Sequence, residues 1–155
     1  GDGAGLAAAR RLVEKLGGVA LPLDEGSLAR YHAAAALASN HTLALVGAAI
    51  DLLVAEGLAR ETATSAIAAL LRSAADNVAA TGLPDALTGP IARGDESTVA
   101  RHLASLPEAL LPLYRVTALA TLDLARARGR ADPAALDRLG ALLASGITND
   151  SQSKR

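Results

Sequence analysis

At 155 residues the chain is long enough to bury a continuous core without covalent staples. It holds no Cys, which excludes disulfides and thiolate metal sites. Its 15 basic and 16 acidic residues are spread along the chain and leave no electrostatic footprint for nucleic acid or an acidic membrane. With 38 Ala and 28 Leu against two Tyr and no Phe, Trp or Met, the composition selects closely packed helices over strands.

The N-terminal Gly1-Asp2-Gly3 has neither the basic start nor the apolar run of a secretory signal, so a cytoplasmic location is expected. From Ala4 to Leu16, Leu6, Ala9, Leu12, Val13 and Leu16 alternate with Arg10, Arg11, Glu14 and Lys15 as in an amphipathic helix, which Gly17-Gly18 stops. Val19-Ala20-Leu21 is expected to form one short strand, confined by Pro22 to a strand end or an edge. Nothing then breaks the helical pattern from Ser27 to Glu56, which reads as one helix of about thirty residues, near 45 Å long. Within it, Tyr31 to Ile50 is twenty residues without Asp, Glu, Lys or Arg, enough to cross a bilayer. His32, Ser39, Asn40, His41 and Thr42 interrupt that run, and Arg30 and Asp51 bracket it, so the expectation is a helix buried in protein and no membrane contact.

Gly57 ends this helix, and a second long one, antiparallel to it, is expected from Arg60 or Glu61 to about Thr81, before Gly82 and Pro84. The loop from Gly82 to Gly94 carries the densest cluster of chain breakers, Pro84, Gly89, Pro90 and Gly94. Asp95 caps a helix to Leu106. Pro107 separates that helix from one running from Glu108 to about Arg128, with Leu110, Leu111, Tyr114, Leu119 and Leu122 on its apolar face. Asp132-Pro133 opens a last helix to about Ser145. The fold class is therefore mainly all-α: a helix-strand piece over 1–25, a multi-helix bundle over 26–145 and a polar, disordered tail over 146–155.

Two groups of residues carry possible chemistry. At about 100° per residue, Ser39 lies about 20° and Asn40 about 80° from His32, roughly 10 to 12 Å further along the helix. Ala36, Leu43 and Gly47 continue this narrow stripe, while His41 falls opposite His32, so the two histidines cannot hold one metal and no metal site is expected. Either the three polar groups cap and bridge neighbouring helices, or they line a cleft. The second group, Leu87 to Asp95, is a tight loop running into a helix N-terminus, where free amides and Arg93 suit an anionic or carbonyl-bearing ligand. The alternative is a structural loop in which Asp95 caps the helix and Arg93 is solvated. The opening Gly1-Asp2-Gly3-Ala4-Gly5 lacks the preceding strand and the glycine spacing of a dinucleotide fingerprint.

Tyr31 to Asn40 and Leu87 to Asp95, in this order, resemble one family: bacterial Rossmann-like NAD(P)-dependent oxidoreductases whose C-terminal half is a helical domain of unknown function. That half is related to the dimerisation domain of pyrroline-5-carboxylate reductase and to the 6-phosphogluconate dehydrogenase C-terminal-domain-like superfamily. The resemblance runs from Gly1 to about Gly129 and makes 1–25 the terminal helix and strand of a Rossmann-like domain, with Gly1-Asp2 at the end of a late strand. Thr88-Gly89-Pro90 resembles the reductase's Thr-Ser-Pro-Gly-Gly loop with Gly in place of Ser. Only Ala38-Ser39-Asn40-His41 stands where that enzyme has Ser-Gly-Ser-Gly-Pro, so its imino-acid substrate does not carry over.

The resemblance implies the helical, substrate-side and dimerisation half of a reductase of a small carbonyl or imine compound. NADP or NAD belongs to the complete enzyme, on a Rossmann-like domain in cis or trans, and no cofactor is expected on this chain alone. His32 and Asn40 are the implied catalytic residues, with His32 as proton donor or carbonyl anchor and Ser39 and Asn40 orienting the substrate. Thr88, Gly89 and Arg93 are the implied contacts to its polar or anionic end. A homodimer is expected. The competing reading is a non-catalytic, all-helical dimerisation or interaction module whose polar stripe only fixes helix register.

Overall fold

The Ala- and Leu-rich sequence folds into helices, and no strand occurs among the described residues, 3–145 of this computed structural model. Their order is α1 (Gly3–Lys15), α2 (Leu28–Ala36), a π-helical turn (Leu37–His41), α3 (Thr42–Ala55), α4 (Arg60–Thr81), α5 (Gly89–Arg93), α6 (Glu96–Ser105), α7 (Leu111–Arg128) and α8 (Pro133–Ala144). Short 3-10 turns at Glu25–Ser27 and Glu108–Leu110 lead into α2 and α7. The chain divides into two compact units, Gly1–Gly47 and Ala48–Arg155, with the division inside α3. The expected strand end at Gly1-Asp2 and the expected disordered tail over 146–155 lie outside the described residues.

In the first unit, α1 forms where its amphipathic pattern requires and stops at Gly17, whose φ of +71° suits glycine. Its apolar residues nevertheless stay in solvent, with Leu6 57 % and Leu12 60 % exposed. The strand expected at Val19 to Leu21 is absent, and these residues have no regular structure. A strand exists only by exchanging backbone hydrogen bonds with a neighbour, and no strand is found among the described residues to pair with it. The long helical run is present as expected, Leu28–Ala55, and by length and composition it could cross a membrane. Its expected burial is not found, since only 6 % of its most apolar window is buried within the chain. No residue of α1, α2 or the π turn is buried, so these helices satisfy their backbone locally but leave their side-chain faces uncovered.

The second unit holds the core. Val99 of α6, Leu122 of α7 and Leu139 and Leu143 of α8 are fully buried, joined by Ile91, Ala118, Ala125 and Leu136. The helix ends explain why α8 docks where it does. Asp132 accepts the Ala134 N–H at 3.1 Å, and Pro133 occupies the first helical position, where no amide hydrogen is needed. At the other end, Arg115 of α7 donates to the carbonyls of Leu142 and Leu143 at 2.8 and 2.7 Å, supplying partners and positive charge to α8's last turn. Gly94 permits the close approach of α5 to α8: its φ is +71°, and a Cβ there would lie 2.9 Å from the Ala135 Cβ.

The 22-residue α4 begins and ends as expected, with Gly82 at its C-cap, yet buries only Ala63. The Arg60–Asp51 ion pair at 2.8 Å spans the turn before it, but both side chains are about two-thirds exposed, so it contributes little.

Leu139 lies fully buried in this cluster. Leu139→Ala is therefore expected to cost about 2–5 kcal/mol of stability, read as a lower urea midpoint with an unchanged slope.

Candidate functional site

The first group of expected site residues lies in the first unit, on one helical run. His32, Ser39 and Asn40 are all exposed, and the Tyr31 ring lies beside the His32 ring, 5.8 Å between centroids. The wheel of an ideal α-helix does not describe the far end of this stripe, because Leu37–His41 is a π turn. In such a turn backbone hydrogen bonds reach one residue further, so the chain rotates less per residue. By this smaller step Asn40 moves towards the direction of His32, Ser39 moves further from it, and His41 leaves the position opposite His32.

Two hydroxyl groups bond backbone carbonyls in and beside this turn. Thr42 Oγ1 donates to the Leu37 carbonyl at 3.1 Å. Ser39 Oγ lies 2.7 Å from the Ala35 carbonyl and 3.0 Å from Asn40 Oδ1, so its single proton is shared between two acceptors. The sequence Ser39-Asn40-His41-Thr42 thus opens the helix at the place where it gathers polar side chains. Neither Ser39 nor Thr42 is signalled as a π-turn residue by hydrophobic periodicity, which registers apolar positions only.

The second group lies in the second unit. Thr88 is the extended N-cap of α5, and its hydroxyl makes no capping bond; Gly89 follows with φ +93°. Arg93 closes α5 and is exposed. The loop does not run directly into a long helix, as the sequence suggests, because the five-residue α5 intervenes. The N-terminus of α6 is occupied by the chain's own carboxylate: Asp95 accepts from the Thr98 N–H at 3.0 Å, the Thr98 hydroxyl at 2.7 Å and the Ser97 hydroxyl at 2.9 Å. The Thr98 amide is therefore spent on the cap, and Arg93 remains solvated beside it.

The helix wheel gives no hint of a third feature, a histidine–tyrosine pair. His102 Nδ1 of α6 and the Tyr114 hydroxyl of α7 lie 2.8 Å apart, with the rings edge to face. Burial raises the Tyr114 phenol above its ordinary range. The pair joins two helices across the Pro107 turn, and its members are twelve residues apart, beyond any local pattern. Among the described residues, no group of three or more His, Asp or Glu could hold a metal ion. Gly3 is the first residue of α1, and Gly5 lies within that helix.

The Thr98 hydroxyl and amide, followed by the Ser97 hydroxyl, hold the Asp95 carboxyl at about 2, below its usual 3.8. A lowered folded-state value means that the cap's contribution is complete above 3.8 and is lost as pH falls through about 2. An NMR titration of the Asp95 carboxyl and the Thr98 amide should share that low midpoint, and Thr98→Ala should move it upward.

Comparison with known proteins yields one family. A family model described as a domain of unknown function, DUF2520, matches residues 1–121. Neither a curated protein nor a solved structure matches the chain. The matched span runs from α1 into α7 and includes both groups of candidate residues, and on it the chain belongs to the DUF2520 family.

Proposed function

We propose that the chain is the substrate-side and dimerisation half of an NAD(P)-dependent oxidoreductase acting on a small carbonyl or imine compound. The dinucleotide is assigned to a Rossmann-like domain in cis or trans. The observation that carries this reading is the π turn at Leu37–His41, which sets Ser39 and Asn40 in solvent on the same helical run as His32. Such turns give up regular hydrogen bonding and occur often at functional sites. An imidazole on an alanine-lined surface can donate a proton to a carbonyl or imine as it is reduced, and an amide can fix the orientation of that group. His32 and Asn40 are given these roles, with Ser39 supporting Asn40 through their 3.0 Å contact. Thr88, Gly89 and Arg93 are assigned the substrate's polar end on the family resemblance alone.

A second copy is the proposed cover for the exposed apolar faces. On α4 the residues Ile67, Leu71, Ala74 and Val78 follow the three- and four-residue spacing of a helix-packing seam. Leu71 and Val78 on it are 39 % and 44 % exposed, and Leu70 beside it is 67 % exposed. One observation favours the non-catalytic alternative: the Ser39 hydroxyl is already engaged with its own helix.

The two readings separate when NADPH is titrated into the chain combined with a Rossmann-like domain of the same family. Saturable binding is expected, with turnover reduced roughly 100-fold or more by His32→Ala and also lowered by Asn40→Ala, while both variants remain dimeric. Absence of dinucleotide binding would refute the oxidoreductase reading. Loss of folding without a specific kinetic effect would assign the polar stripe to structure. Sedimentation at micromolar concentration is expected to give twice the 15.5 kDa chain mass, and a monomer alone would exclude the second copy.

A further inference from the structure

Arg128 ends α7, and its side chain is largely withdrawn from solvent, 18 % exposed. Its Nε is buried and donates no hydrogen bond. The carboxylate that faces it, Asp85, holds its Oδ1 3.7 Å away, beyond hydrogen-bonding range. That same oxygen accepts from Arg130 at 2.7 Å. Two guanidinium groups therefore compete for one carboxylate, and Arg130, the more exposed, holds it. The preceding arginine on this stretch, Arg126, has the opposite situation, with Asp123 and Asp137 both within ion-pair distance. Among the described residues, the buried side-chain donor left without a hydrogen bond is thus the Arg128 Nε.

A buried guanidinium N–H left without an acceptor is unfavourable, and the planar fork of N–H groups to which it belongs matches the two oxygens of a carboxylate or phosphate. Asp85 also ties this position to the loop: it precedes Thr88 by three residues, which limits their Cα separation to about 11 Å. We infer that Arg128 is an oxyanion-binding residue, taking a carboxylate or phosphate group of a small molecule, with Asp85 as the internal carboxylate that competes with it. This inference extends past the family match, which ends at residue 121, and it stands independently of the oxidoreductase reading.

A purely structural account is also available for Arg128, since a cation at the C-terminus of α7 balances the helix dipole there. The two accounts differ in their response to Asp85. The test follows the Arg128 Nε–H resonance of the full-length, ¹⁵N-labelled chain as inorganic phosphate is added at constant ionic strength, with acetate as a parallel arm. The expected result is a saturable shift with millimolar half-saturation. Asp85→Asn should lower that half-saturation about threefold to tenfold, because it removes a like charge next to the bound anion. Tighter binding of phosphate would identify a phosphorylated ligand, and comparable binding of acetate a carboxylate one. No saturable shift in either arm, or equal half-saturation in the wild type and Asp85→Asn, would overturn the inference and leave Arg128 with the dipole alone. Should Asp85→Asn unfold, the wild-type titration decides by itself. The assay contains no dinucleotide and no partner domain, so its failure is distinct from failure of the oxidoreductase reading.

Discussion

The contact on which most of this architecture depends is that of α7 with α8. Leu122 enters it from α7 and Leu139 and Leu143 from α8, all without solvent exposure, and Arg115 closes the end of α8 by bonding its last carbonyls. Once these helices are fixed, the short elements before them are placed as a consequence. Ile91 of α5 and Val99 of α6 complete the same cluster. Gly94 lets the chain pass close enough to Ala135 for both to remain in it. The Thr88-Gly89-Pro90 loop is therefore held by hydrophobic packing of the residues that follow it, together with the Asp95 N–H bond to the Pro90 carbonyl at 2.9 Å.

The first unit obeys a different constraint. Its helices are formed by local hydrogen bonds and by the high helix preference of Ala and Leu, yet none of their side chains is buried. Helices of this length are marginal by themselves and gain most of their stability from covering an apolar face. That face is the physical reason to look for a partner, whether a second copy or a cofactor domain. The π turn sits within it, and Ser39, one of the two hydroxyl residues bonded to carbonyls there, also belongs to the candidate site.

The chemistry suggested for the two units rests on different kinds of signal. His32, Ser39 and Asn40 stand out because they are polar residues on an alanine surface, which a helix wheel displays directly. The Arg128–Asp85–Arg130 group and the His102–Tyr114 pair arise only when separate segments meet, and in each case a polar side chain is partly withdrawn from water. Asp95 shows the converse: its place before α6 is a local capping signal, and the structure finds it doing that task with three hydrogen bonds.

Periodicity and end signals by themselves determined the helices. The long run ending at Gly57, the 22-residue α4 stopped by Gly82, the Asp95 and Asp132 caps and the αL glycine after Arg128 are all local in origin, governed by propensity and by unsatisfied terminal groups. The sequence could not decide three things. Val19 to Leu21 has strand-like residues, but no second strand for a ladder is found among the described residues. The π turn is invisible to a fixed 100° step because hydroxyl-to-carbonyl bonds, not apolar spacing, accommodate it. Burial of the uncharged helix is not supplied by this chain's own residues, and that of Arg128 was unforeseen, since burial belongs to no residue or segment alone and is set only when other surfaces are brought against it.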